Sequence, residues 1–252
     1  MLCSDARACF RNLKSSKRDL PVTDEWFFYL RHFASSRMQP YLTNTSCDHK
    51  NAQLLYVWNV RMSALFWELI CHVEVAVRNS ISSRLSDAQP EVASNPHWLL
   101  DFALPFYRAN PKLVRHAKEA IRRVRVNRKE VTGEQVISEL SFGFWCHLIS
   151  KQNRAVWPSL AGSFKGLPSR NQAQVSKLMF EVRDLRNRIG HHHRIYHLDL
   201  KQKHENLMLL AHYVDPEFGM WLRSKSRVDE LLLLRPQASP TLQTLQPTPP
   251  KP

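Results

Sequence analysis

The sequence predicts an all-α protein, a bundle of several helices. Three observations carry this prediction. Only six of the 252 residues are glycine, whereas leucine, arginine, lysine and alanine are abundant. Apolar side chains recur at intervals of three and four residues, which is the period of one helix face. The chain is also long enough for one sizeable domain with an ample apolar core.

The helices begin after a polar, basic extension at residues 1–22. Thr23 and Asp24 open the first helical segment, and Asp24 is its expected N-cap because an Asp side chain can accept the N–H groups of a first turn. We therefore place the helical domain at residues 23–234. The apolar residues of this first segment are Trp26, Phe27, Leu30 and Phe33.

A much longer helix is predicted from about His49 to Leu85. Its apolar positions keep three- and four-residue intervals, so one face is expected to be buried against other helices. Asn95-Pro96 and Leu104-Pro105 then interrupt the pattern as loops. The apolar positions of the long helix are Leu54, Leu55, Trp58, Met62, Leu65, Phe66, Leu69, Ile70, Val73, Val77 and Ile81.

Further helices follow in order. Pro111 starts a basic helix through Arg128, since proline suits a first helical turn. Thr132 starts a helix that runs through Leu148. A helix over about 171–191 carries an arginine- and histidine-rich motif, and two more are predicted near 200–213 and 216–233. Residues 235–252 hold six of the fifteen prolines and almost no charge, which predicts a disordered tail.

Composition narrows the class of protein. The formal charge of +14 favours polyanionic partners, above all nucleic acid, through release of counterions. The five cysteines form no CxxC pair, which fits reduced thiols better than disulfides or a zinc site. No apolar run approaches the roughly 18–20 residues of a membrane span, and the N-terminus lacks the layout of a signal peptide. These features predict a soluble, cytoplasmic protein without a membrane partner.

The segment from Glu181 to His193 concentrates the chemistry of the chain. An Arg-Asn pair is followed by three consecutive histidines at the end of a helical pattern. Arginine stabilises phosphate charge and histidine moves protons near neutral pH, so the combination suggests phosphodiester chemistry. Histidines at a helix C-terminus also have a structural use, because they interact favourably with the helix dipole. The core stripe of this helix is expected at Leu178, Val182, Leu185 and Ile189.

Helix geometry leaves the working histidine open. At 3.6 residues per turn, Arg186 and His191 diverge by about 140° on a straight helix. Asn187 and His191 share a row, and Arg186 aligns with His193. Arg186 and His191 therefore converge on one phosphate only if the helix ends or bends, or if a second copy of the chain contributes. Gly190 is well placed to relax the last turn.

Two further patterns have competing interpretations. His193 and His197 stand four residues apart, but no carboxylate or cysteine completes a metal set, so we predict neither a metal nor a cofactor. Six cations of the basic helix form either a solvated face or a track for an RNA backbone. These cations are Lys112, Arg115, Lys118, Arg122, Arg123 and Arg125.

Three blocks of sequence, taken in order, resemble one family. Val73 to Asn79 forms the first block, Leu140 to Trp145 the second and Leu185 to His192 the third, which reads Leu-Arg-Asn-Arg-Ile-Gly-His-His. They resemble blocks of the Abi-like (abortive infection) family, within the HEPN superfamily of helical ribonucleases and nucleotide-binding domains. The resemblance covers roughly residues 23–215. Gly190 replaces the family's usual alanine, and His193-Arg194 stand where the family often has Glu-Pro.

The resemblance implies an endoribonuclease toxin that cuts RNA without a metal and defends against phage. Arg186 would bind the phosphate, Asn187 would orient a histidine, and His191, with His192 beside it, would act as general base or acid. The first block would supply supporting residues, although Glu74 and Arg78 at i, i+4 also fit a simple surface ion pair. The supporting residues are Glu74, Arg78 and Asn79.

The resemblance also implies partners. Family members often form a homodimer whose active site combines two copies of the motif, and RNA and an antitoxin, protein or RNA, are the other expected partners. The alternative function is a non-catalytic RNA-binding or regulatory HEPN protein. A helical scaffold with a chance motif is a third interpretation.

Overall fold

A computed structural model describes residues 25–87 and 97–236. The predicted Asp24 cap, the basic extension, the break at Asn95-Pro96 and nearly all of the Pro-rich tail lie outside these residues. Within the described ranges the regular structure is helical, as predicted, without strands. The α-helices are α1 Glu25–Phe33, α2 Ser35–Asn44, α3 His49–Asp87, α4 Pro105–Ala109, α5 Pro111–Val126, α6 Gly133–Glu139, α7 Phe142–Leu148, α8 Trp157–Leu160, α9 Gln172–Gly190, α10 Leu200–Val214, α11 Pro216–Lys225 and α12 Val228–Leu233.

The described residues divide into two compact units, one of residues 25–61 with 233–236 and the other of residues 62–87 and 97–232. The first unit contains α1, α2 and the start of α3. The Trp26 ring stacks on the His49 ring with 4.7 Å between centroids. Tyr56 on α3 packs against the rings of Tyr29, Phe33 and Tyr41, and this aromatic cluster joins the three helices.

The long helix α3 confirms the prediction from apolar spacing. Most of its predicted apolar face is buried, from Leu55 through Met62 to Ile81. Leu54 departs from the prediction and is exposed, because adjacent positions such as Leu54 and Leu55 are separated by about 100° around a helix. Leu65 is half-buried for the same reason, since Phe66 takes the inward position.

Short capping signals set the helices after α3. Pro111 lies in the first turn of α5, and the Asn110 side chain accepts a hydrogen bond from the Lys112 N–H. Thr132 caps α6 in the same way, accepting from the Gln135 N–H. The single helix predicted through Leu148 is wrong: Leu140 and Ser141 are extended, and the Ser141 carbonyl accepts the Phe144 N–H at the start of α7.

The helix α9 packs against α7 and α10. Asn171 caps it, accepting hydrogen bonds from the N–H groups of Ala173 and Gln174. Its predicted core stripe is confirmed, since all four residues are buried: Leu178, Val182, Leu185 and Ile189.

The last helices form a tightly packed pair. The prediction of a helix near 200–213 is confirmed by α10, whereas the one near 216–233 is divided into α11 and α12 at Ser226, which is extended. Gly219 on α11 approaches the His212 backbone on α10 so closely that a Cβ there would lie 2.7 Å from the His212 Cα. In the part of the chain that the structure describes, no helix is both long and apolar enough to cross a membrane.

Candidate active site

Arg186 on α9 forms an ion pair with Glu74 on α3. The Arg186 Nε donates to Glu74 Oε1 at 3.2 Å. The two side chains are 38% and 26% exposed, respectively, so the pair is partly withdrawn from water but open on one side. The sequence left open whether Glu74 pairs with Arg78 on the surface. In the structure its hydrogen-bonded partner is Arg186 of the motif.

Trp67 completes the surroundings of Arg186. The guanidinium carbon lies 5.3 Å from the centroid of the Trp67 ring, a distance typical of cation–π contact. A Cβ on Gly190 would lie 3.6 Å from the Trp67 ring and 3.9 Å from Arg186 Nη1. The guanidinium therefore reaches along α9 toward its last turn, where the histidines begin.

Three histidines follow the last helical residue, Gly190. His191 is the C-cap, and its N–H donates to the Asn187 carbonyl. His192 has φ of 55°, and its N–H donates to the Ile189 carbonyl, while the His193 N–H donates to the Arg188 carbonyl at 2.8 Å. These two bonds are those of a Schellman motif, in which the left-handed position is usually glycine.

The helix thus ends where the motif needs a change of direction. The expectation that Gly190 relaxes the last turn is wrong, because the residue with positive φ is His192. A positive φ is uncommon for residues other than glycine, although His, like Asn and Asp, adopts it more often than most, and residues in such conformations cluster at functional sites. The straight-helix divergence of Arg186 and His191 does not apply here, since the helical path stops at Gly190.

The motif side chains beyond Arg186 face solvent. Asn187 and the three histidines are exposed. The His191 and His193 rings lie 5.9 Å apart. In residues 25–87 and 97–236, no group of three or more His, Cys, Asp or Glu side chains is arranged to hold a metal ion.

Arg78 and Asn79, the other predicted supporting residues, lie one turn beyond Glu74. The Arg78 Nε donates to Asn79 Oδ1 at 3.3 Å. Burial raises the pKa of the Glu74 carboxyl, and the charge and hydrogen bond of Arg186, followed by the charge of Arg78, lower it in part. Arg78 therefore acts on Glu74 through its charge.

Sequence reasoning missed two residues of this site, Trp67 and Cys71. A spacing signal was present, because Trp67, Cys71, Glu74 and Arg78 recur at intervals of four, three and four on α3. This row faces the motif end of α9. Burial and the Glu74 charge raise the pKa of the Cys71 thiol, so it stays protonated and is a poor nucleophile at neutral pH.

The six predicted RNA-binding cations lie on the exposed face of α5, opposite its buried residues, which include Leu113 and Val124. Glu119 pairs with two of them, Arg122 at 2.8 Å and Arg123 at 3.2 Å. These contacts lower the pKa of Glu119 to about 2. Lys112, Arg115, Lys118 and Arg125 add further exposed positive charge to the same face.

Comparison with known proteins gives one result on family. The family described as Abi-like protein matches residues 26–197, about two thirds of the chain, including α3, α5 and α9. Neither the curated proteins nor the solved structures contain a match to this chain. The matched region includes Glu74, Arg186 and the three histidines. The chain belongs to the family of Abi-like proteins.

Proposed function

We propose that this protein is a metal-independent endoribonuclease of the HEPN superfamily. It acts in the cytoplasm as a toxin in abortive infection, a defence against phage. The observation that carries the proposal is the partly buried Glu74–Arg186 pair at a helix end that presents three exposed histidines. In phosphodiester cleavage, a positioned guanidinium stabilises the charge on the phosphate, and neighbouring imidazoles transfer the protons.

Arg186 binds the phosphate that is attacked. Its Nε is held by Glu74 and its plane lies near Trp67, so the Nη groups are oriented before RNA binds. Because a guanidinium offers five donors in a fixed plane, the Nη groups can hold two phosphate oxygens. They stabilise the negative charge that builds up on those oxygens as the 2′-oxygen attacks.

His191 and His192 move the protons of the reaction. One imidazole takes the proton of the ribose 2′-hydroxyl, whose oxygen then bonds to phosphorus. The bond from phosphorus to the 5′-oxygen breaks, and a protonated imidazole gives that oxygen its proton. The products are a 2′,3′-cyclic phosphate and a free 5′-hydroxyl. Asn187, four residues before His191, orients the cap histidine.

The exposed motif end leaves room for a second copy of the chain. In a homodimer, Arg186 from one protomer and a histidine from its partner could share one cleft. A mixture of Arg186→Ala and His191→Ala chains tests this directly. A shared cleft restores part of the cleavage in mixed dimers, whereas a site complete within one chain leaves the mixture inactive.

The function is tested by cleavage of RNA in EDTA. We expect products with 2′,3′-cyclic phosphate ends, loss of cleavage in Arg186→Ala and His191→Ala, and relief of growth inhibition in both variants. Arg188→Ala and His197→Ala change the same residue types nearby and serve as controls that keep activity. Retained cleavage in both motif variants would refute the site.

The exposed cations of α5 favour a second candidate, a non-catalytic RNA-binding or regulatory HEPN protein. In that case the wild-type protein binds RNA in EDTA without cutting it, and charge reversal on α5 abolishes binding. A protein or RNA antitoxin that covers the motif end fits either function. It would be recognised by protection of His191 and His192 from chemical modification.

A further inference from the structure

A second cationic feature lies at the other end of α9. An open cavity of about 770 Å³ is lined by residues of α5, α7, α9 and the segment 150–157. No carboxylate is among its lining residues, so neither a metal ion nor a cationic ligand has a counter-charge there. Its five cationic residues are Lys112, Lys151, Arg154, Arg170 and Lys177.

The positive charge of this cavity affects the one histidine in its wall. Burial, followed by the charges of Lys112 and other cations, lowers the pKa of His147 to about 4. His147 is therefore a neutral hydrogen-bonding group at neutral pH. An anion in the cavity would relieve part of the repulsion between the cations around it.

The wall of the cavity is fixed by hydrogen bonds to the backbone. The Gln172 Nε2 donates to the Ile149 and Ser150 carbonyls at 3.1 and 2.9 Å. The Trp157 Nε1 donates to the Arg170 carbonyl at 2.7 Å. Lys151, Arg154, Arg170 and Lys177 are exposed above this fixed wall, so their charges concentrate at one place without loop rearrangement.

The two aromatic rings of the wall do not offer a free face to a base. Trp157 is only 7% exposed. The Phe180 ring carries the Arg183 guanidinium 4.4 Å above its centroid, and His147 meets it edge-on at 5.7 Å. The cavity therefore suits phosphate groups rather than a stacked base, and its recognition does not depend on sequence.

The cations continue beyond the cavity in two directions. Lys112 belongs both to the cavity and to the exposed row of α5 that continues through Arg115, Lys118 and Arg122. On α9, Arg183 lies above Phe180 and pairs with Asp184 at 2.7 Å, and Arg186 lies about 9 Å beyond Phe180 along the helix axis. A long phosphate chain fits this arrangement better than a free nucleotide, because a free nucleotide is too short to reach both the cavity cations and the row of cations on α5.

We propose that this cavity binds backbone phosphates of single-stranded RNA on one side of the bond that Arg186 and the histidines cut. The inference rests on the proposed function for its substrate class. The cavity anchors the strand, and Lys151 and Arg154 contribute affinity without taking part in the chemistry. RNA too short to reach from the motif to the cavity does not use it.

The binding test uses Lys151→Glu/Arg154→Glu and a charge-matched control, Lys225→Glu/Arg227→Glu, whose exposed positions lie outside the cavity and the motif. Each carries Arg186→Ala to prevent cleavage. With a fluorescent single-stranded RNA 20-mer, we expect the cavity variant to raise Kd more than tenfold. The slope of the logarithm of the binding constant against the logarithm of the salt concentration should also become shallower by about 0.7 for each phosphate contact that is lost. Equal weakening in the control would overturn the proposal.

The cleavage test compares RNA lengths in chains with the intact motif. On the 20-mer, the cavity variant should raise KM with kcat unchanged. On a dinucleotide, whose only phosphate is the one attacked, it should cleave as the unmodified chain does. An equal effect on both lengths, or tighter binding of ATP than of the 20-mer, would contradict an RNA anchor. If the wild type cuts no RNA, the proposed function fails, and the binding test still decides whether the cavity holds RNA.

Discussion

At the residue scale, the surroundings of Arg186 determine what the motif can do. Glu74 holds its Nε, the Trp67 ring lies beside its guanidinium, and Gly190 leaves space next to its Nη1. Together these contacts fix the guanidinium without consuming the donors that a phosphate requires. Glu74 is thus a positioning residue, and its pairing with Arg186 offsets only part of the cost of withdrawing the two charges from water.

Glu74→Gln tests this positioning role. The amide keeps the size and the hydrogen-bond acceptor but removes the charge, so we expect kcat for RNA cleavage to fall about tenfold with little change in KM or Tm. Glu68→Gln, an exposed change on the same helix, is the control and should leave kcat unchanged. A fall in Tm that accounts for the lost activity would instead indicate a purely structural pair.

His192 is held in a conformation that glycine adopts more readily. Its φ of 55° costs an L residue about 1–2 kcal/mol, part of which glycine regains against its greater freedom in the unfolded chain. We expect His192→Gly to raise the free energy of unfolding by about 1 kcal/mol in urea titrations. His193→Gly should give no such gain. Destabilisation by His192→Gly would show that side-chain contacts outweigh the backbone strain.

The sequence predicted the motif residues but not their contacts. Arg186, Asn187 and the histidines stand out by residue type, whereas Glu74 and Arg186 are 112 positions apart, and only tertiary packing joins them. Trp67 resembled an ordinary helix residue. Its significance depends on the crossing of α3 and α9, which apolar spacing alone does not specify.

At the element scale, apolar periodicity predicted the long helices well and the breaks poorly. The helices α3, α5, α9 and α10 carry repeats long enough to identify them, and α5 also begins at a proline. The breaks at Ser141 and Ser226 lack glycine or proline. Serine interrupts a helix only where it forms local hydrogen bonds that compete with those of the helix. Apolar spacing does not reveal such bonds, so these interruptions were missed.

Two helical glycines give a matched test of packing. Gly219 meets the backbone of α10, so a methyl group requires the helices to separate, and we expect Gly219→Ala to destabilise the protein by about 1–3 kcal/mol. Gly190 has room for a methyl group against Trp67, and Gly190→Ala should stabilise α9 by about 0.4–1 kcal/mol. Urea titration of both variants measures the contrast. Equal effects would mean that helix propensity, rather than the space around each glycine, determines the change in stability.

At the scale of the whole molecule, acid should destabilise the protein before its carboxylates titrate. Burial is the first cause that lowers the pKa of five histidines. The unfolded chain takes up protons on them as pH falls through about 6.5, whereas the folded chain takes them up only at lower pH. The stability that these neutral histidines contribute is therefore fully present above about pH 6.5 and is lost as the pH falls below that value. The five are His97, His116, His147, His197 and His204.

Urea midpoints at pH 8, 7 and 5 measure this decline. We expect little change from pH 8 to 7 and a clear loss by pH 5, with a smaller loss in His147→Asn. The raised pKa of Glu74 has the opposite effect on stability, because the folded chain takes up that proton at a higher pH than the unfolded chain. It is one group against five histidines. A midpoint that is constant from pH 8 to 5 would contradict the lowered pKa values of these histidines.

The sequence predicted only in part how the net charge of +14 is distributed over the folded protein. The cations of α5 were visible as one basic helix. The cavity cations are dispersed from Lys112 to Lys177, and folding brings them together. Composition thus indicated a polyanionic partner, whereas the path that such a partner follows depends on the packing of α5 against α7 and of α7 against α9.

The central claim is that the Arg186 guanidinium stabilises the phosphate during cleavage. Single-turnover cleavage of RNA in EDTA by Arg186→Ala, with and without added guanidinium ion, tests this claim most directly, with Arg188→Ala as control. We predict a rate about 10²–10³ lower in Arg186→Ala. Added guanidinium should restore part of that rate and leave Arg188→Ala unaffected. Cleavage by Arg186→Ala at the unmodified rate would contradict the claim.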